Sequence, residues 1–366
     1  MILRTPDFYD EFRCIAGECK DSCCIGWELD IDDETFGLYK NAKGEFGERL
    51  RAHMQEGDES TDECNTFVLN GKRCPFLNDK NLCDIYINLG EKSLCEVCTE
   101  YPRFAVEYDN VLEKSMALSC EEVGRLLFER TTPVRIVERE IDKNPEYEDV
   151  ETFYTDELRK ARDRELFILS DRTKTMHERL EEYLGYADHI QNLINMEAGR
   201  PGGLKKGVDG RFSKKIIKEP SLREARDNFE LRMSILSGLE VLDSEWSDTC
   251  KELNLHFSNS PTYTEDMKKF LSEPSITEEL AIWWEALYNY FTFRYMIKSV
   301  YDCEFSMRAK FARLSCDTIR DMALMRWLDT GKFELADMID VARIYSKEVE
   351  HSEDNLDYLA DELLFG

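Results

Sequence analysis

The chain has 366 residues, 42% hydrophobic and 34% charged, enough for two domains of ordinary size, each with its own core. Its 76 acidic residues outnumber 48 basic ones for a formal net charge of −28, which argues against nucleic-acid binding as a main task because phosphate contacts need a basic face. No run of eighteen apolar residues occurs, and the opening Met1-Ile2-Leu3-Arg4-Thr5-Pro6-Asp7 lacks the apolar stretch of a secretory leader, so a cytoplasmic protein without a membrane span is expected.

Residues 1 to about 130 mix short elements with turns. Asp33 to about Gln55 is predicted as one helix. Thr66 to Phe76 is predicted as a tight hairpin turning at Asn70-Gly71, since Asn-Gly suits a type I′ turn. A second hairpin is expected over Phe104 to Leu118, turning at Asp109-Asn110, followed by a helix after Ser119 with Glu122 completing a capping box. From about Asp149 onward the pattern is helical almost throughout. Helices are predicted over Glu157–Ala198, Leu222–Ser244, Thr264–Leu271, Thr277–Val300, Ser306–Thr330 and Phe333–Val349. Residues 199–220 carry Gly199, Gly202, Gly203, Gly207 and Gly210 among basic residues and read as a mobile connector, with a substrate-facing lid as the functional alternative. Trp283, Trp284, Tyr288, Phe291 and Tyr295 recur at helical spacing and are expected to form the core seam of a bundle. The fold class expected is mostly α: an N-terminal α+β cysteine-rich metal-binding domain over 1–130, then an α-helical domain over 131–366.

Ten of the thirteen cysteines lie between Cys14 and Cys120. Dense cysteine in a cytosolic chain points to metal binding or redox chemistry rather than to a disulfide framework. One cluster is Cys14-x4-Cys19-x3-Cys23-Cys24. The other is Cys74-Pro75-Phe76-Leu77, then Cys83-Asp84-Ile85-Tyr86, then Cys95-x2-Cys98 ahead of Tyr101-Pro102-Arg103. Thiolates from two distant segments can close a four-sulfur site for zinc or an iron–sulfur cluster, and the spacing does not choose between them. Eight cysteines could serve two sites; the more economical reading is one four-ligand site with the rest supporting it. A dithiol redox pair at Cys95 and Cys98 is disfavoured because no βαβ context surrounds it. His53, His177, His189, His256 and His351 form no HxxxH or HExxH pattern, and no GxSxG elbow is present.

Several of these blocks resemble the flagellin lysine-N-methylase family. They are Thr5-Pro6-Asp7-Phe8-Tyr9, Phe12-Arg13-Cys14-Ile15-Ala16, Cys19-Lys20-Asp21-Ser22-Cys23-Cys24-Ile25-Gly26-Trp27, Arg73-Cys74-Pro75-Phe76-Leu77, Leu82-Cys83-Asp84-Ile85-Tyr86, Cys98-Thr99-Glu100-Tyr101-Pro102-Arg103 and Leu118-Ser119-Cys120. The last block departs from the family in having Glu121 where a proline is usual. The resemblance covers about the first 130 residues; beyond them the likeness is in length and helical character. It implies methyl transfer from S-adenosylmethionine to surface lysines of flagellin, and a 4Fe-4S cluster. Carried onto this chain, the ligands would come from Cys14, Cys19, Cys23, Cys24, Cys74, Cys83, Cys95 and Cys98.

The usual methyltransferase fold carries a glycine-rich loop after its first strand, and no GxGxxG occurs here, so no Rossmann domain is expected. Lysine methylation needs a neutral amine, yet at a reference pKa near 10.4 only about one lysine in a few thousand is neutral at pH 7. A tyrosine to orient the amine, a carboxylate to take its proton, and aromatic or acidic groups near the sulfonium are therefore sought beside the cysteines. Tyr86, Glu100, Tyr101 and Arg103 are the candidates for catalysis, and Trp27, Asp30, Asp32 and Arg103 for the cofactor, with Glu28 adjoining them. Each has a plainer reading: Trp27 as core, Asp32 as a helix cap, Arg103 as an ion-pair partner. The rival to catalysis is a zinc or iron–sulfur module that binds a basic protein, to which the acidic surface is suited.

Overall fold

The computed structural model describes residues 1–26, 29–57, 64–145, 151–197, 203–217, 222–258 and 260–365. The chain opens with strand β1 (Ile2–Pro6). Then come helices α1 (Asp33–Asn41) and α2 (Gly44–Ala52), the short strands β2 (Met54–Gln55) and β3 (Thr66–Phe67), and helices α3 (Asp84–Leu89) and α4 (Glu96–Glu100). Strands β4 (Arg103–Tyr108) and β5 (Val111–Met116), helix α5 (Glu121–Phe128) and strand β6 (Ile136–Glu140) follow. The remainder is helical: α6 (Thr155–Leu169), α7 (Met176–Glu197), α8 (Gly203–Gly207), α9 (Leu222–Leu236), α10 (Ser244–Phe257), α11 (Tyr263–Leu271), α12 (Thr277–Met296), α13 (Ser299–Asp302), α14 (Phe305–Thr330), α15 (Leu335–Val349) and α16 (Glu353–Phe365).

Two compact units result, and strand pairing explains why neither ends at residue 130. Met1–Glu11, Ala105–Ser119 and Gly124–Gly366 form one; Phe12–Phe104 and Cys120–Val123 form the other. β1 runs parallel to β5, with Leu3 opposite Leu112, and antiparallel to β6, with Leu3 opposite Arg139. The sheet order is β4-β5-β1-β6. The first strand thus belongs with the helical unit, and most of the cysteine-bearing unit is an insertion between β1 and β4, completed by the short segment Cys120–Val123. Among the described residues no doubly wound sheet occurs, and the chain is mostly helical, as expected.

Local chemistry accounts for the other departures. The helix expected over Asp33–Gln55 is two helices, broken where Gly44 takes a φ of +78°. The turn at Asn70-Gly71 forms, closed by the Asn70–Arg73 bridge with Gly71 at φ +64°, but its flanks pair elsewhere: Thr66 and Phe67 with Gln55 and Met54, and Arg73 with Ile25. The second hairpin stands, with Asp109 at φ +47° in its turn. The long helix expected to Ala198 is interrupted at residues 170–175, and Ala198 lies outside the described residues, as do Gly199, Arg200, Gly202 and Lys218. The described part of the 199–220 connector holds α8, and the Val208 carbonyl accepts from Arg164 and Tyr186. Strand β6 and helices α10 and α16 were not anticipated.

In the helical unit α14 packs on α7, α12, α15 and α16. From Trp283 to Met296 every residue of α12 is buried, so its aromatic seam extends to an all-round core helix. Charges inside it must be paired. Glu285 accepts from Arg179 at 2.7 Å and Arg172 at 2.9 Å, while Glu350 accepts from the Tyr290 and Tyr295 hydroxyls, both at 2.7 Å. Beneath the sheet, Glu113 is the hub of a larger network. It accepts from Arg4 Nη1 at 2.7 Å, from Arg162 Nη1 and Nη2 at 2.8 and 2.6 Å, and from the Tyr108 hydroxyl at 2.6 Å. Burial alone would raise the Glu113 carboxyl, but the Arg162 and Arg4 guanidiniums outweigh it and hold it below the usual carboxylate range.

Glu113→Ala leaves two buried guanidiniums without their carboxylate, and a loss of about 3–5 kcal/mol in denaturant unfolding is expected. His351 gives a pH-dependent counterpart. Its Nε2 lies 2.6 Å from the Ser119 hydroxyl, and burial first, then Arg294, pull the imidazole down to about 4. The unfolded chain binds that proton near pH 6.5 and the folded chain only near 4, so this contribution is complete above 6.5 and lost as pH falls through the window. A His351→Asn variant is expected to show a shallower decline in stability between pH 6.5 and 4.

Candidate metal centre

The cysteine-bearing unit has its own apolar cluster, built on Leu29, Ile31, Tyr39, Phe67, Phe76 and Ile85 among others. Phe76 is fully buried and meets Phe67 edge-on at 5.2 Å. Cys74 and Cys95 are buried members of this cluster, and Cys24, Cys83 and Cys98 pack against it. Five thiols thus share one apolar floor.

Backbone pairing brings them there. The Cys74 N–H donates to the Cys24 carbonyl at 2.9 Å, Gly26 N–H to the Lys72 carbonyl at 2.8 Å, and Leu77 bridges Cys83. Cys83 and Cys95 immediately precede α3 and α4, where amide groups lack helical partners. The amides of Tyr86 and Ile85 face the Cys83 sulfur, that of Cys98 faces Cys95, and those of Phe76 and Leu77 face Cys74. Oriented N–H groups of this kind favour a negatively charged sulfur.

Burial works the other way. It pushes Cys74 up to about 12, with Cys24 and Cys83 adding to the rise. Its hydrogen bond with Cys23 draws Cys24 down to about 7, while Cys98, bonded to Cys95 and desolvated, is raised well above the usual thiol range. Crowded thiols that oppose one another's ionisation suit a thiophilic cation, whose charge reverses that repulsion. The donor set therefore fits a zinc ion or an iron–sulfur cluster. Among the described residues no three Cys, His, Asp or Glu side chains stand in the arrangement of a formed metal site, so ligation would have to draw the sulfurs together.

Cys14, Cys19 and Cys23 are not members of the apolar cluster; Cys120 and Cys14 are close enough to Cys19 and to Cys23 to add to the rise of their thiols, after burial for Cys19 and after Cys24 and burial for Cys23. Cys120 was missing from the sequence-based ligand set. Its signal was its place directly before α5, the position Cys83 and Cys95 hold before their helices; the amides of Val123 and Glu122 face its sulfur. Cys64 is exposed.

The other candidates separate. Asp32 caps α1, accepting from the Thr35 amide at 2.9 Å, while its second oxygen accepts from the Glu96 amide at the start of α4, also at 2.9 Å. Burial would raise its carboxyl, but those amides outweigh it and lower it. The capping reading of Asp32 therefore holds. Asp30 is exposed and bridges Thr66 through its backbone. Tyr86 is 52% exposed on α3. Glu100 ends α4, Tyr101 follows half-buried, and the Arg103 guanidinium lies over the Phe12 ring at 5.1 Å. Trp27 and Glu28 lie outside the described residues. Tyr39 was overlooked: its ring is buried beside Cys95, Cys98 and Cys83, and its hydroxyl donates to the Ser93 carbonyl. In the helical unit a cavity of about 320 Å³ is lined by Tyr295, Lys298, Met307, Arg308 and Phe311 with Asp302, Glu353 and Asp357; only Tyr295 among these was singled out from the sequence, as a core residue.

Comparison with known proteins adds to this geometry. A family described as the FliB lysine N-methylase C-terminal domain matches residues 162–365. A lysine-N-methylase of Salmonella typhimurium is 29% identical over 122 residues, 32% of this chain and 30% of the relative. A flagellar biosynthetic protein FliU of Salmonella muenchen is 30% identical over 124 residues, 32% of this chain and 72% of the relative. The aligned stretch thus spans less than a third of the lysine-N-methylase. No solved structure matches the chain.

Asp32 ties two helices beside the thiols, so Asp32→Ala is expected to cost roughly 1–2 kcal/mol in thermal unfolding at neutral pH. Because its folded carboxyl is lowered, that difference should be whole above about pH 3.8, where the unfolded chain begins to protonate, and shrink as pH falls from there through the lowered folded value.

Proposed function

The chain belongs to the FliB lysine N-methylase family, and on that footing we propose that it transfers methyl groups from S-adenosylmethionine to surface lysines of flagellin, using a unit that holds a 4Fe-4S cluster on its thiols. The family match over 162–365 carries this reading. The net charge of −28 supports it, because an acidic surface draws a lysine-bearing protein.

The reaction has simple requirements. The lysine nitrogen uses its lone pair to form a bond to the donor methyl carbon. The carbon–sulfur bond breaks, the sulfonium sulfur keeps that pair and becomes a neutral thioether, and the methylated ammonium releases a proton. The protein must therefore strip a proton from an amine that is ionised in water. Tyr86 and Tyr101 are the tyrosines proposed to orient that amine, and Glu100 is the carboxylate proposed to accept its proton. Arg103, held over Phe12, is proposed to meet the donor's carboxylate. Asp32 is less suited to the donor because both its oxygens are used by helix amides, and Asp30 remains the acidic candidate beside it. A bound cluster would supply structural closure of the thiol-bearing segments and an anchor of positive charge among sulfurs.

Incubation of anaerobically purified protein with flagellin and methyl-labelled S-adenosylmethionine is expected to label lysine side chains, read by mass spectrometry, with label absent when the donor is omitted. Tight flagellin binding with no label in any lysine would replace the enzyme by the acidic binding module.

A further inference from the structure

Ten cysteines lie in one unit, and they are not one pool. The adjacent pair Cys23 and Cys24 marks the division. Cys24 packs on the apolar cluster with Cys74, Cys83, Cys95 and Cys98. Cys23 is exposed, and its thiol neighbours beyond Cys24 are Cys14 and Cys120.

Backbone geometry assembles the second group independently. A single 3-10 turn, Ala16–Glu18, links Cys14 to Cys19: the Ala16 N–H points to the Cys14 sulfur at 3.4 Å and the Cys19 N–H donates to the Ala16 carbonyl at 3.3 Å. The turn is seated closely, since a Cβ on Gly17 would come 2.9 Å from the Lys80 carbonyl oxygen. Next to Cys19, the Lys20 N–H donates to Glu121 Oε2 at 2.8 Å, across 101 residues of sequence, and Glu121 is next to Cys120. The short segment Cys120–Val123 accordingly belongs to the cysteine unit although the strand residues before it do not. Cys120 is a neighbour of both Cys14 and Cys19. Four thiols from two chain segments, 14–23 and 120, thus lie near one another without standing in the arrangement of a formed site, and four is the number a tetrahedral ion or a cubane takes. The apolar group still has five, enough for a complete set without them.

We propose that Cys14, Cys19, Cys23 and Cys120 form a four-thiolate site of their own, separate from that of Cys24, Cys74, Cys83, Cys95 and Cys98, so that the unit carries two thiophilic centres. This rests on the metal reading of the unit given above. The ligand class is a thiolate-bound zinc ion or iron–sulfur cluster. Cys14 and Cys23 are both exposed, and ligation would turn them inward to complete the new site. Nothing in it requires a reaction: each thiol that binds releases its proton to solvent as its sulfur takes the metal.

The test is metal content, not activity. The full chain, purified without oxygen and reconstituted in parallel with zinc alone and with ferrous iron plus sulfide, is assayed for zinc, iron, sulfide and visible absorption. Wild type is expected to hold two centres: about two zincs, about four irons with one zinc, or about eight irons. Cys14→Ser and Cys120→Ser should each remove one centre and leave the other's metal and spectrum unchanged, while the double variant Cys74→Ser/Cys98→Ser, which leaves the apolar group only three thiols, removes the complementary one. Cys14 is exposed, so Cys14→Ser should fold even if Cys120→Ser does not. Which metal disappears identifies the occupant. Loss of the same single centre in both variant groups would overturn the proposal, as would one centre in wild type that survives Cys14→Ser intact. No metal in wild type under either reconstitution would sink the metal reading itself, and this proposal with it.

Discussion

Glu113 is the charge on which the sheet-bearing unit depends. A carboxylate buried at the centre of a protein is costly unless several donors converge on it, and here two guanidiniums and a tyrosine hydroxyl do so. Those donors come from β1, α6 and β4, and Arg162 also donates to the Phe293 carbonyl on α12. Arg4 spreads the network further, to Glu138 on β6 and Asp163 on α6. One ionic cluster thereby joins the first five residues of the chain to a strand a hundred residues later and to the helical core. This cross-linking is why β1 belongs with the C-terminal helices and the cysteine-bearing unit is an insertion.

The same rule governs the helical core. α12 is buried on every side, so its Glu285 and Arg294 persist only because Arg172, Arg179 and Glu350 meet them. Each pair joins α12 to a different stretch of chain, the turn before α7, α7 itself and the end of α15, and each therefore specifies a neighbour as well as contributing energy.

The inserted unit solves a different problem. It is small, its apolar cluster is modest, and its elements are short. Small domains of this kind commonly rely on a metal or cross-link for stability. Here the backbone presents amides to Cys74, Cys83, Cys95 and Cys120, which lowers the cost of the thiolates a metal needs. Thiols in two groups rather than one would distribute that closure between the apolar floor and the segment that precedes α5.

Several features were legible from residues alone because they are local. Asp109-Asn110 marked a hairpin turn, and the aromatic spacing in α12 marked a core helix, whereas the cysteine spacing did not show that the cysteine-bearing stretch is inserted after β1. The capping role of Asp32 was also readable, since a cap and its helix are neighbours in sequence. What tertiary structure alone decided was long-range partnership. Nothing near Leu3 announces that it will lie beside Leu112, and nothing near Lys20 announces Glu121. Period-two and period-3.6 patterns say which face of an element is buried, not against which distant element. The membership of Cys120 in a thiol group, the pairing of Thr66 with Gln55 in place of its own hairpin, and the course of β1 all depend on such partners, and for that reason only the folded chain contains them.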